Sequence, residues 1–237
     1  MRQLIGRSNG TTLSLGNQRF STYVRKSCWA LTNVRPALGW SAMNDATRLI
    51  DDTILWLQEH YGDHPCWNEA DVVSVIWDYA RRLILARKLP LTIRNQHEIK
   101  TSLGKKKYDL AILDDRGLAL VVVEVKYEPS PSRPDVPRVL KHFKWEHLVP
   151  GYHGKDIAFT DIEKVRRCVE EGKADIGYAI FIDEGSHHYQ RMPANVLPDG
   201  VVWRRWGPGT TEAIEVSVMV ARFPNEDRIT QPRADVL

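Results

Sequence analysis

The sequence predicts an α/β protein in which helices flank a mixed central sheet. The run Val121 to Val125 is the most apolar in the chain, and such runs are typical of central strands that are buried on both faces. Residues 108–114 and 176–183 form further β-rich runs. Segments with helical spacing of apolar residues precede and separate these runs, so the predicted core order is helix, three strands, helix and strand.

Two amphipathic helices are predicted ahead of the first strand. The first follows Asn44 and ends near Gly62, and its apolar residues recur at helical spacing: Ala46, Leu49, Ile50, Ile54 and Leu57. The second begins after Asn68, a residue type that caps the amino termini of helices, and ends near Lys88, shortly before a proline.

Three successive strands are predicted at 91–100, 108–114 and 118–126. The segment SLGKKK at 102–107 is predicted to be the first turn. The segment DDRG at 114–117 is predicted to be the second, because Asp and Gly favour turns. The second turn makes a hairpin, which sets Asp109 and Glu124 side by side on neighbouring strands.

The remainder of the predicted core follows a loop. Residues 128–137 contain four prolines and are predicted to leave the sheet. Residues 138–159 lack a clear periodicity and receive no assignment. Thr160 and Glu163 predict a capping box at the start of a helix, and 176–183 predict the last core strand.

Additional elements are predicted after the core. A His-rich loop follows at 185–193, and His187 and His188 lack a third ligand at useful spacing, so they do not indicate a metal site. An added strand is predicted at 212–223, with an inner face formed by Ile214, Val216, Val218 and Val220. Residues 224–237 are predicted to be a frayed tail.

These elements predict one domain over residues 66–223, preceded by a basic extension and helix over 1–65. Residues 1–40 contain six Arg or Lys residues, among them Arg25 and Lys26, and no Asp or Glu. Such a segment fits a phosphate-backbone partner. A solvated arm without a binding role is the equal alternative.

The composition is that of a folded domain and not of a membrane span. The chain has 237 residues, of which 43% are hydrophobic and 27% charged, enough for one well-buried domain with an extension. No stretch approaches the roughly 20 apolar residues that span a membrane. Cys28, Cys66 and Cys168 lie far apart, which predicts reduced thiols and no zinc site. We therefore expect a soluble, cytoplasmic protein without a membrane partner.

Charged residues lie at the end of the most apolar strand. Glu124 and Lys126 share a strand face with Val122, where isolated charges are costly. Because the hairpin brings Asp109 alongside, two carboxylates converge on one point, and this arrangement suits Mg²⁺. The alternative is a same-face ion pair between Glu124 and Lys126 at an exposed strand end.

An acid on one strand and an acid-x-Lys triplet on the next resemble the PD-(D/E)xK nucleases. That family has a restriction-endonuclease-like core of αβββαβ order, and Asp109, Glu124 and Lys126 match its site. Tyr108 stands where the proline of the family name would lie. The resemblance implies an Mg²⁺-dependent DNA endonuclease, with Mn²⁺ as a possible substitute.

The resemblance also assigns roles to residues. It implies that Asp109, Glu124 and the backbone carbonyl of Val125 hold the metal, and that Lys126 orients the attacking water. It further implies an acid on the first core helix, for which Glu69 is the match, although an acid there also interacts favourably with the helix dipole.

Further candidates remain open at this point. Glu98 on the preceding strand is a rival metal ligand, and Asp161 and Lys164 resemble positions that are often polar in the family. Nucleic-acid contacts are predicted for a basic set, Lys105, Lys106, Lys107, Arg25 and Lys26.

Two classes of function follow. The first is an endonuclease for restriction or defence, or for junction resolution or repair, with a possible homodimer because cutting two antiparallel strands favours two-fold symmetry. The second is a nucleic-acid-binding protein that keeps the nuclease fold without catalysis.

Overall fold

The computed structural model describes residues 40–64, 66–130, 132–133, 160–191, 201–208 and 215–225. The helices in these ranges are α1 (Trp40–His60), α2 (Glu69–Arg87), α3 (Asp161–Glu170) and α4 (His187–Arg191), with a 3₁₀ turn at Tyr61–Asp63. The strands are β1 (Thr92–Thr101), β2 (Gly104–Leu113), β3 (Ala119–Glu128), β4 (Ile176–Glu184), β5 (Val201–Pro208) and β6 (Glu215–Pro224). Arg25, Lys26 and residues 226–237 of the predicted tail lie outside the described residues. The first two tail residues are described and were wrongly predicted to fray, since Pro224 ends β6 and the Asn225 N–H donates to the Asp175 carbonyl at 2.9 Å.

The strands form one six-stranded mixed sheet in the order β1-β2-β3-β4-β6-β5. Strands β3 and β4 are parallel, and the other neighbouring pairs are antiparallel. Helix α3 lies in the connection between the two parallel strands, as such a pair requires a crossover. The prediction of an α/β fold with a mixed sheet flanked by helices is confirmed.

Each face of the sheet has its own apolar core. Helices α1 and α2 cover one face, where Leu49, Ile76 and Val123 are buried. Helix α3 covers the other face, where Val122 and Val165 are buried. Because successive side chains of a strand point to opposite faces, Glu124 and Lys126 belong to the α3 face with Val122.

The ends of two helices are fixed by side-chain caps. Asn68 Oδ1 accepts from the backbone N–H of Asp71 at 3.1 Å, and Asp71 Oδ2 accepts from the N–H of Asn68 at 3.1 Å. Thr160 Oγ1 accepts from the N–H of Glu163 at 3.2 Å. These caps confirm the predicted starts of α2 and α3, and they fix the positions of the first residues, Glu69 and Asp161.

Three predicted element bounds were wrong. Helix α1 begins at Trp40, ahead of Asn44, and the His-rich loop contains the short helix α4. The lysines at 105–107, predicted to lie in a turn, belong to β2, because the backbone pairs with β1 as far as Thr101 opposite Gly104.

The sheet also extends further beyond β4 than the sequence indicated. One added strand was predicted, and the segment VVWRRW adds a second, β5, at the sheet edge. Val216, Val218 and Val220 of β6 face the core shared with α1 and α2, as predicted, whereas Ile214 lies outside the described residues.

None of the described helices is long and apolar enough to cross a membrane. Cys66 and Cys168 are buried, and neither forms a disulfide within the described residues.

Candidate metal and catalytic site

Strands β2 and β3 meet the first turns of α2 and α3 at one cluster of charged side chains. Asp109 comes from β2, and Glu124 and Lys126 come from β3. Four further residues reach the same point, namely Glu69 of α2, Gln96 of β1, and Asp161 and Lys164 of α3. The two helix caps and the hairpin register therefore build the cluster.

Both carboxylate oxygens of Asp109 are engaged. Oδ2 accepts from the backbone N–H of Val125 at 2.8 Å, and Oδ1 accepts from Nε2 of Gln96 at 3.0 Å. Leu110 is paired with Val123 in the register of β2 and β3, which sets Asp109 beside Glu124. The hairpin geometry expected from the sequence is present.

Glu124 is a buried carboxylate between two lysines. Its Oε2 accepts from Lys164 Nζ at 2.6 Å, and its Oε1 lies 3.6 Å from Lys126 Nζ. Lys164 Nζ also lies 4.9 Å from the ring centroid of Tyr108, and the Tyr108 hydroxyl donates to the Lys164 carbonyl at 3.1 Å. The tyrosine at the proline position thus holds Lys164 against Glu124.

Lys126 links the acids of both helices to the sheet. Its Nζ lies 3.0 Å from Glu69 Oε2 and 3.9 Å from Asp161 Oδ2. It also donates to the Val125 carbonyl at 3.0 Å, which is the backbone oxygen expected to hold the metal. Lys126 is therefore the centre of the charge network, and it contacts the matched helix acid Glu69.

Burial and mutual repulsion raise the pKa values of the acidic side chains in the cluster. Burial, followed by the nearby charge of Asp109, raises the pKa of Glu124 to about 8. Burial also raises the pKa of Glu69 and of Asp161 against the opposing pull of Lys126. Burial disfavours the Lys126 ammonium, but the surrounding carboxylates outweigh burial and hold its pKa above the usual range. The carboxylates around Lys126 therefore favour its charged form in the metal-free site.

The donor set fits a divalent cation in charge and in ligand type. With all groups ionised, four carboxylates (Asp109, Glu124, Glu69 and Asp161) surround two ammonium groups, which leaves two net negative charges. Carboxylate and carbonyl oxygens are the ligands that Mg²⁺ and Mn²⁺ take. Within the described ranges no three His, Cys, Asp or Glu side chains are arranged as ligands of one metal ion. In this cluster the ammonium groups of Lys164 and Lys126 contact the carboxylate oxygens instead.

Four candidates from the sequence, Glu98 and the lysines at 105–107, lie outside this cluster. Glu98 is exposed and pairs with Lys105 at 2.9 Å, and the structure brings Glu69, not Glu98, to Lys126. Lys105, Lys106 and Lys107 lie on the hairpin arm formed with β1.

Gln96 was not singled out from the sequence, because nothing in its local pattern distinguishes it from other polar strand residues. Asp161 and Lys164 are spaced three residues apart at a helix start, which places them on one helix face. Both were candidates from the family resemblance, and the structure brings both to the cluster.

A second buried polar group lies where β3 and β4 end. Glu184 Oε1 accepts from the Tyr61 hydroxyl at 2.7 Å and from Arg133 Nη1 at 3.0 Å. Arg133 Nη1 also donates to the Cys66 carbonyl at 2.7 Å. No local pattern in the sequence indicates this network, because its members are far apart along the chain. The network ties three segments together.

Comparisons with known proteins add no family to this description. No protein-family model matches the chain, and neither a curated protein nor a solved structure matches it.

Proposed function

We propose that this protein is a divalent-metal-dependent endonuclease that hydrolyses phosphodiester bonds of DNA. The observation that carries the proposal is the convergence of Asp109, Glu124 and Lys126, in which the Val125 N–H binds the Asp109 carboxylate at 2.8 Å. Two buried acids with an adjacent ammonium group suit both a hard cation and the charge of a phosphodiester.

The element order supports the same proposal. The core elements α2, β1, β2, β3, α3 and β4 follow the αβββαβ order of the PD-(D/E)xK nucleases, which the charged residues resemble. The restriction-endonuclease-like fold is accordingly part of the proposal. Mg²⁺ is the proposed metal and Mn²⁺ its substitute.

Each residue of the cluster has a chemical role in this proposal. Asp109, Glu124 and the Val125 carbonyl would hold the cation, which when bound would polarise the phosphate and lower the pKa of a coordinated water. Gaining Glu124 Oε2 as a ligand requires Lys164 to release that oxygen.

Lys126, charged at neutral pH, orients the water and offsets the negative charge that develops on the phosphoryl oxygens. Glu69 fixes the Lys126 ammonium through the 3.0 Å contact. The acid on α2 thus acts by positioning the lysine.

A second candidate is a non-catalytic nucleic-acid-binding protein with the same fold. It is favoured by the two ammonium groups, since Lys126 binds the Val125 carbonyl and Lys164 binds Glu124. In that case the lysines neutralise the acids permanently and no metal enters.

One experiment separates the two candidates. Purified protein is incubated with supercoiled plasmid, single-stranded DNA or RNA, in Mg²⁺, Mn²⁺ or EDTA. We expect plasmid cleavage with either metal and none with EDTA. Asp109→Asn and Lys126→Met should each lower the rate by about a hundredfold or more, whereas Glu98→Gln, an exposed acid on β1, should cleave as wild type.

The possible results lead to different conclusions. Cleavage that both site variants retain would exclude the proposal. DNA binding without cleavage under any metal condition would establish the scaffold instead. Sedimentation of the active protein with a short duplex tests the proposed homodimer.

A further inference from the structure

Gln96 has a backbone conformation that is unusual for its place in the fold. Its φ is 49°, in the left-handed region, which costs an L-residue free energy unless something compensates. Two other non-glycine residues in the described ranges share a positive φ, Lys88 at a helix end and Ser186 in a turn. Gln96 alone of the three lies inside a strand.

The register of β1 and β2 explains where this residue points. Asn95 pairs with Leu110 and His97 pairs with Tyr108, so Gln96 lies opposite Asp109. The Gln96 amide donates from Nε2 to Asp109 Oδ1 at 3.0 Å. Gln96 is itself exposed, so burial of its side chain does not compensate for the backbone conformation.

The bond completes the restraint of Asp109. The Val125 N–H holds Oδ2 at 2.8 Å, and the Gln96 amide holds Oδ1. With both oxygens bound, the carboxylate plane is fixed before any ligand arrives. Residues that orient a metal ligand in this way commonly change metal affinity about 10- to 100-fold when they are removed.

We propose that Gln96 is a positioning residue, held in a left-handed conformation so that its amide orients the Asp109 carboxylate for a divalent cation. The proposal rests on the proposed function, because it assigns Gln96 a task within that site. It goes further in stating that the left-handed backbone of Gln96 lowers the stability of the fold and in return orients one side chain.

The first test measures stability in two variants at this position. Gln96→Ala removes the amide and keeps a Cβ, whereas Gln96→Gly removes both. Because glycine adopts a left-handed φ without a steric penalty, we expect the unfolding equilibrium constant of Gln96→Gly to be about fivefold lower than that of Gln96→Ala.

Lys100, an exposed residue of the same strand, supplies the matched control. At an ordinary strand position glycine is the less stable choice. Lys100→Gly should therefore unfold more readily than Lys100→Ala, which is the opposite order to that expected at position 96.

The second test measures Mn²⁺ binding by electron paramagnetic resonance or calorimetry, which needs no turnover. Both Gln96 variants should bind Mn²⁺ about tenfold more weakly than wild type, although Gln96→Gly is the more stable of the two. A merely structural role would make affinity follow stability, so that Gln96→Gly would bind better than Gln96→Ala.

Each outcome decides the inference. Equal loss of Mn²⁺ affinity in both variants, with the reversed stability order, supports it. Wild-type affinity in either variant, or Ala more stable than Gly at position 96, overturns it. A wild-type protein that binds Mn²⁺ but cleaves no DNA overturns the proposed nuclease function and leaves the positioning role supported or refuted by the affinities. A wild type that binds no Mn²⁺ overturns both.

Discussion

Glu124 is the residue whose burial most directly opposes the ionised state that the proposed metal site requires. It is 5% exposed, and burial with the Asp109 charge raises its pKa from 4.5 to about 8. A buried carboxylic acid near neutral pH is costly to ionise. In the proposed function Glu124 is a metal ligand and must be ionised, so protons and a divalent cation would compete for the same group.

The raised pKa of Glu124 gives the stability of the metal-free protein a defined pH dependence. The raised pKa means that the folded state binds the Glu124 proton more tightly than the unfolded state. Protonated Glu124 therefore contributes to the free energy of unfolding at low pH, and this contribution is lost as pH rises from about 5 through about 8. Glu124→Gln lacks this titration, and its free energy of unfolding should improve relative to wild type across that window. Urea denaturation in EDTA at several pH values measures the difference.

The control for this expectation is Glu98→Gln, an exposed acid whose pKa is lowered by its hydrogen bond to Lys105. Its stability should show no such gain between pH 5 and pH 8. Parallel pH curves for wild type and Glu124→Gln would show that the Glu124 carboxyl titrates normally. Added Mg²⁺ should stabilise the wild type and leave Glu124→Gln nearly unaffected.

At the scale of elements, the position of helix α3 depends on a glycine in β4, because a larger residue there would overlap the helix. A Cβ on Gly177 of β4 would overlap Val165 Cγ1 and lie 3.1 Å from Val169 Cγ2. The helix therefore packs directly on the strand. Because α3 carries Asp161 and Lys164, this close packing also sets the distance between those side chains and Glu124.

Gly177→Ala should consequently disturb both stability and the site. Overpacking of this kind costs about 1–3 kcal/mol, and a displaced α3 should weaken the Lys164 contact with Glu124 and alter Mn²⁺ affinity. The double variant Gly177→Ala/Val165→Ala removes the overlapping methyl group and should recover much of the loss. Chemical denaturation and a metal titration test this, and no recovery in the double variant would place the strain elsewhere.

A buried ion pair connects segments at the point where β3 and β4 end. Arg133 Nη1 lies 3.0 Å from Glu184 Oε1, and both side chains are buried. Removing one partner of such a pair leaves a buried charge without compensation. The pair is therefore more sensitive to single replacements than an exposed pair.

We expect Arg133→Met to lower the free energy of unfolding by about 3–5 kcal/mol. The double variant Arg133→Met/Glu184→Leu should lose much less, because no charge remains buried. Arg82→Met, which breaks an exposed pair with Asp78, is the control and should change stability by about 0.5 kcal/mol or less. A single variant as stable as the double would contradict this account.

For the whole molecule, the lysines on the β1–β2 arm are the described part of the predicted nucleic-acid contacts. Lys106 lies opposite Ile99, and Lys107 lies opposite Glu98. The arm stands at the edge of the sheet, since β1 is an end strand. These lysines lie on β2, next to the edge strand. Charged surface residues keep a protein soluble, so solubility alone is a sufficient reason for them.

The salt dependence of DNA binding separates the two roles. If both lysines contact duplex phosphates, Lys106→Gln/Lys107→Gln should reduce the slope of log affinity against log salt by about 1.8. The control Arg81→Gln/Arg82→Gln removes the same charge from an exposed face of α2 and should leave the slope nearly unchanged. Titrations of a labelled duplex in EDTA supply both slopes, and equal slopes would assign the arm to solubility.

Much of the fold could be predicted because its elements carry local signals. Asn68 and Thr160 mark helix starts, and the apolar run through Val123 marks the central strand. Strand β5 lacked such a signal, since Arg204 and Arg205 interrupt its apolar residues and only pairing with β6 specifies it. The lysines at 105–107 were predicted to lie in a turn for the same reason. Only their pairing with β1 makes them part of strand β2.

The sequence by itself determined the αβββαβ order and the candidate acids Asp109 and Glu124 with Lys126, since periodicity, caps and turn residues act over a few positions. Only the tertiary structure decided that Gln96 and Lys164 join them and that Glu98 does not. Those choices depend on strand register, on a left-handed backbone at one residue and on the close packing of α3. Such features arise between segments far apart along the chain, where no local pattern encodes them.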